Sequence, residues 1–177
     1  MRRSFCVAVH STGNLRVGGR SRAELMGALN SVGVLLNGHA EILFANVAFD
    51  EGAGQDVVII ERTVCELGLT AGAVLSQIFT AAQKQGLLLC PPDTGPYLRL
   101  ALRTQATAPD SAMSSGRAPS GALTVASAPL SEDDEYPKGF YLRVVDGRPW
   151  LRGYQCDDQH VWSPEDSFAF QLPSRGM

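Results

Sequence analysis

The stretch "GFYLRVVDGRPWLRGY", residues 139–154, constrains the fold of this chain more than any other part of it. Two alternating apolar and polar runs flank Asp146-Gly147, a dipeptide that satisfies the positive φ angles of a two-residue hairpin turn. The turn fixes the register. Val145 faces Arg148, Arg143 faces Trp150 and Tyr141 faces Arg152, so Phe140, Leu142 and Leu151 share one face while Tyr141, Arg143, Trp150 and Arg152 share the other. A hairpin of this length must bury its apolar face against something else in the chain.

The segments before it read mostly as helices. Ser21 and Glu24 form a capping-box pattern, and Leu25, Leu29, Val32 and Leu36 follow at helical spacing until Asn37-Gly38. A shorter helical pattern runs through Ala40, Leu43, Phe44 and Val47 and ends in "DEGAGQ". Residues 56–67 fit two readings: the β-branched run suggests a strand, whereas Val57, Ile60, Val64 and Leu67 fit a helix stopped at Gly68. The helix is the reading adopted. Thr70 is placed to cap a further helix through Val74, Ile78 and Ala82, ended by Gly86. After it, "CPPDTGP" reads as a rigid corner, and Leu98, Leu100 and Leu102 alternate with polar residues as in a half-buried strand. "ALTVASAPL" and Phe168, Phe170 and Leu172 give two more strands, with "SEDDEYPKG" as an acidic connection.

The fold expected is therefore α+β: N-terminal helices, about 21–86, packed on a C-terminal antiparallel β-sheet or partial barrel, about 87–172. Residues 1–20 form a loose leader or edge strand, 21–172 a single domain with a flexible loop at 104–121, and 173–177 a tail. The net charge of −3 gives no global reason to expect nucleic acid. Thirteen Arg against two Lys invite a check of each guanidinium, although a GC-rich genome produces the same bias. Cysteines at 6, 65, 90 and 156 are too widely spaced for a zinc ribbon or a CxxC pair. The apolar run Phe5 to Val9 is too short for a signal peptide, and no stretch approaches a membrane span. The expectation is a cytoplasmic protein with reduced thiols.

The run "ELGLTAGAVLSQIFTAAQKQGLLLCPPDTGPYLRL", with the later "WLRGY" and the "VW" before "FAF", resembles an uncharacterised family of small bacterial proteins. That family is marked by a Leu-Cys-Pro, acidic, Gly-Pro, Leu-Arg-Leu block, and the resemblance covers residues 56–172. It implies a shared fold and supplies no catalytic residue, cofactor or activity, although some members carry a helicase label. Asp93 stands where the family has Glu, and the 104–121 loop is long. Chemistry argues against the label. A P-loop needs Lys beside Ser or Thr, and the lysines here sit in "QKQG" and "PKGF". "VGGR" at 17–20 reads as a surface turn.

Three sets of residues are candidates for function. Cys90, His160 and Asp157, or its neighbour Asp158, supply a nucleophile, a base and an orienting carboxylate, the parts of a cysteine-dependent enzyme. Against this, Cys90 ends an apolar run and reads better as a small core residue. Cys156 and His160 make half a metal site without a second pair, so no metal and no other cofactor is expected. The outer hairpin face, with Tyr141, Arg143, Trp150 and Arg152, suits a small anionic or planar ligand or a protein partner, and Asp93 and Arg99 mark a second binding surface. Gln77, Gln83 and Lys84 are all that a winged-helix recognition helix would offer, so nucleic acid is not the expected partner. The leading expectation is a small non-catalytic binding or regulatory protein.

Overall fold

The β-branched run Val57-Val58-Ile59-Ile60 lies in an extended strand, not a helix. This strand, β3 (Gln55–Thr63), sits inside the sheet, paired antiparallel with β1 (Ser11–Val17) on one side and β10 (Ser167–Leu172) on the other. Apolar residues cover both of its faces, so its hydrophobic run is nearly continuous and mimics a helical spacing. The computed structural model describes residues 11–50, 52–108 and 121–175. The first ten residues of the expected leader and most of the 104–121 loop lie outside them.

The remaining strands are β2 (Leu35–Leu36), β4 (Ala73–Val74), β5 (Thr107–Ala108), β6 (Leu123–Val125), β7 (Gly139–Val145), β8 (Arg148–Tyr154) and β9 (Val161–Trp162). The main sheet runs β1-β3-β10-β6-β7-β8-β2, with β5 also on β7, and β4 pairs with β9 apart from it. The sheet is mixed. β6 on β10, β2 on β8 and β5 on β7 are parallel, where an antiparallel sheet was expected. The hairpin has the register read from its turn: Val145 pairs with Arg148, Arg143 with Trp150 and Tyr141 with Arg152, and Asp146 and Gly147 take φ angles of 50° and 72°.

Helices α1 (Arg22–Ser31), α2 (Gly38–Phe44) and α4 (Thr94–Ala101) cover one face; α3 (Leu75–Lys84), with β4 and β9, covers the other. Strand alternation assigns the two cores cleanly. Ile59, Phe140, Leu142, Leu151 and Ala169 point to the first, and Ile60, Tyr141, Tyr154, Phe168 and Phe170 to the second. The α+β class holds, but helices and strands are interleaved along the chain. Ser21 and Glu24 make the expected capping box on α1, which ends at Ser31, well before Asn37. Asn37 instead caps α2, its Oδ1 accepting from the Ala40 N–H. Val74 occupies the N-cap of α3, where Thr70 was expected. Among the described residues no helix is long and apolar enough to cross a membrane.

"TGPYLRLA" is a helix, α4, where a strand was expected. Pro91 and Pro92 precede it and Pro96 falls in its first turn, where an N–H has no intrahelical acceptor. Every residue from Thr94 to Arg99 is buried, so no polar face marks the period and alternation of leucines misleads. Gly95 lets this helix lie directly on the sheet: a Cβ there would meet Phe140 at 2.6 Å.

Candidate functional site: a cleft at the end of the buried helix

Arg99, read as an exposed strand residue, is instead 2% exposed in the core. Its guanidinium donates to Leu102 O (2.5 Å) and Gln105 Oε1 (2.8 Å), with longer contacts to the carbonyls of Arg143 and Trp150. Its Nε finds no partner, and none of the ion pairs among the described residues involves it. Burial, and then repulsion from Arg103, push its pKa down to about 10, so it remains a cation at neutral pH. Gln105 passes the network on, donating to Gly121 O and Leu142 O, both at 2.9 Å.

This network fixes the wall of a cleft of about 670 Å³ just beyond the C-terminal end of α4. Ala101 to Ala106 form one side, Gly121 to Leu123 the other, and Glu61 of β3 with Ser167 of β10 face in from the sheet. The volume is in the range of pockets that bury small ligands. Arg103 is exposed and spends only its Nε, on Leu100 O at 2.9 Å. Among the described residues the Glu61 carboxylate accepts no hydrogen bond, and the two side chains do not form an ion pair with each other. An acidic and a basic residue thus line one space without pairing. Sequence reading missed Glu61, Arg103, Gln105 and Ser167, because their meeting depends on β3 and β10 being neighbours and on α4 being a helix.

The other candidates are placed elsewhere. Cys90 is buried in the first core, its Sγ donating to Ala169 O at 3.5 Å, and desolvation pushes its thiol up to about 12. His160 packs edge-on against Trp162, ring centroids 5.2 Å apart, in contact with the second core. The sheet separates the two, so the structure does not bring Cys90 and His160 together; Asp157 accepts the His160 N–H through its backbone carbonyl. Cys156 is half-buried, its thiol raised to about 11 first by burial. Among the described residues no group of three His, Cys, Asp or Glu is placed to hold a metal ion. Cys65 is disulfide-bonded while Cys90 and Cys156 are free, which corrects the expectation of reduced thiols throughout. Wide sequence spacing does not preclude closeness in space.

The outer face of the hairpin is not the open ladder its sequence suggested. Tyr141 and Arg143 are buried, Tyr141 within the second core, and Trp150 and Arg152 are half-buried. Arg152 lies 4.2 Å from the centre of its own-strand neighbour Trp150, so that cation is already stacked. Asp93 caps α4 by position only, with no side-chain hydrogen bond to the helix, and partial burial raises its pKa. A second, shallower groove of about 340 Å³ runs over α3 between Leu69 and Lys84. Comparison with protein-family profiles, with curated proteins and with solved structures finds no match to this chain.

Proposed function

We propose that this is a small binding or regulatory protein without chemistry of its own, which holds a ligand in the cleft between Glu61, Arg103, Gln105 and Ser167. The observation that carries this reading is that residues of opposite charge, Glu61 and Arg103, line one cleft without pairing with each other, backed by the buried Arg99 network that sets Gln105 in place. Glu61 and Ser167 stand on paired strands and Gln105 is held by the Arg99 network, and fixed placement of that kind is what specific recognition requires. The reading replaces the two surfaces expected from sequence, since Tyr141, Arg143 and Arg99 are buried.

A cysteine-dependent enzyme built on Cys90 would need an exposed, acidified thiol; Cys90 has the opposite on both counts. A nucleic-acid reader on α3 has little to offer, because Gln77 already accepts the Val74 N–H at the start of its own helix. Kinship with the bacterial family of the Leu-Cys-Pro block and a cytoplasmic location belong to the same proposal. The disulfide at Cys65 weighs against that location, since such bonds persist chiefly in oxidising compartments.

The test is a thermal-shift screen of small anionic, cationic, zwitterionic and neutral compounds against the wild type and Ala106→Trp. Ala106 is exposed and lines the cleft, so the indole fills it without disturbing the core. At least one compound is expected to raise the melting temperature of the wild type and leave the plugged variant unmoved. No shift in the wild type, or equal shifts in both, would overturn the reading.

A further inference from the structure

We propose that the occupant of this cleft is a small zwitterion of amino-acid or short-peptide size, its ammonium set against Glu61 and its carboxylate against Arg103. The inference rests on the cleft reading above and goes on to name the ligand's chemistry.

The argument is one of charge. Elsewhere on the described surface, opposite charges that meet form pairs: Arg16 with Asp56, Arg22 with Asp50 and Lys138 with Asp134. Glu61 and Arg103 line one cavity and do not. The gap between them is therefore wider than a direct ion pair allows, and a ligand carrying both charges can bridge it. A purely anionic ligand held at Arg103 would leave Glu61 facing its negative charge, and a purely cationic one held at Glu61 would leave Arg103, with Arg99 behind it, facing its positive charge. Each would meet a like charge across the cleft. Only a ligand with both groups finds a partner at each end. The buried guanidinium of Arg99 adds positive potential at the Arg103 side, which orients the ligand rather than merely holding it. Leu102, Ala122 and Leu123 are apolar members of the lining that suit a carbon skeleton, and Ser167 and Thr104 are its hydroxyl-bearing members.

Affinity selection read by mass spectrometry tests this with five probes: a pool of the free amino acids, and a tripeptide pool in unblocked, N-acetylated, C-amidated and doubly blocked forms. Capture by the wild type is expected from the amino-acid pool or the unblocked tripeptides, which tells the two sources apart. Either cap should cut tripeptide capture by about tenfold or more, the worth of one charge-assisted hydrogen bond; if only amino acids are captured, their N-acetyl and amide derivatives serve the same comparison. Glu61→Gln should capture N-acetylated and unblocked probes alike, and Arg103→Gln amidated and unblocked probes alike. Ala106→Trp should capture nothing. Wild-type capture that ignores both caps overturns the zwitterion. If that capture is still lost in Ala106→Trp, the cleft survives as the site; if it persists there, the cleft fails as well. No capture from any pool also overturns the zwitterion and leaves the cleft to the thermal-shift screen.

Discussion

At Arg99, a buried cation is held by carbonyl and amide oxygens alone. Arg99→Met would strand Leu102 O, Gln105 Oε1 and their neighbours in the interior, so it should lower stability by about 3 kcal/mol in urea unfolding. Arg99→Lys keeps the charge and loses the fork, and should fall between the two. Asp93 gives a pH prediction. Its folded pKa is raised by burial, so the native state holds its proton more tightly than the unfolded chain. Stability therefore drops as pH rises from the ordinary aspartate range through the raised value, and the penalty is fully present above it. Asp93→Asn should remove this drop, giving a melting temperature that gains on the wild type between pH 4 and neutral pH, in about that interval. A variant that instead loses ground on raising the pH would show that the carboxylate has a favourable partner. Neither behaviour was legible in the sequence. Arg in "YLRL" and Asp in "PPDT" look like surface residues until the helix places one inside the core and the other at its threshold.

Among the elements, the hairpin was legible in full because a local rule decides it: two residues at positive φ set the register of fourteen others. No atom lies within 4 Å of where a Cβ on Gly147 would sit, so Gly147→Val tests backbone strain alone and should cost about 1–2 kcal/mol, read as a lowered unfolding midpoint. The capping box of α1 was legible for the same reason. β3 and α4 were exchanged, the first read as helix and the second as strand, because both are buried on two sides and periodicity vanishes where there is no solvent to contrast with. Asn37 shows a connection that no local pattern displays. Its side chain caps α2 and also exchanges two hydrogen bonds with Gly153 of β8, at 2.8 and 3.1 Å, in the manner of a strand neighbour. Asn37→Ala should therefore cost more than an ordinary cap, about 2 kcal/mol, measured by chemical denaturation.

For the molecule as a whole, the two cores share one sheet, and a break in either exposes the other. The disulfide at Cys65 closes a constraint on the chain just past β3, in the region that feeds the second core. Reduction with dithiothreitol should lower the unfolding free energy by about 2 kcal/mol, and Cys65→Ser should reproduce the loss and abolish its sensitivity to reductant. The order of the sheet carries one more consequence. β10 lies between β3 and β6 and pairs with both, so β1 and β3 join the hairpin strands of the sheet only through it. A growing chain can form α1 and α2, or the hairpin, but each half keeps an open edge until residues 167–172 have left the ribosome. The main sheet therefore closes with a clasp rather than by domain-by-domain growth. Nascent chains arrested before Ser167 should stay sensitive to protease, and resistance should arrive in a single step once β10 has emerged.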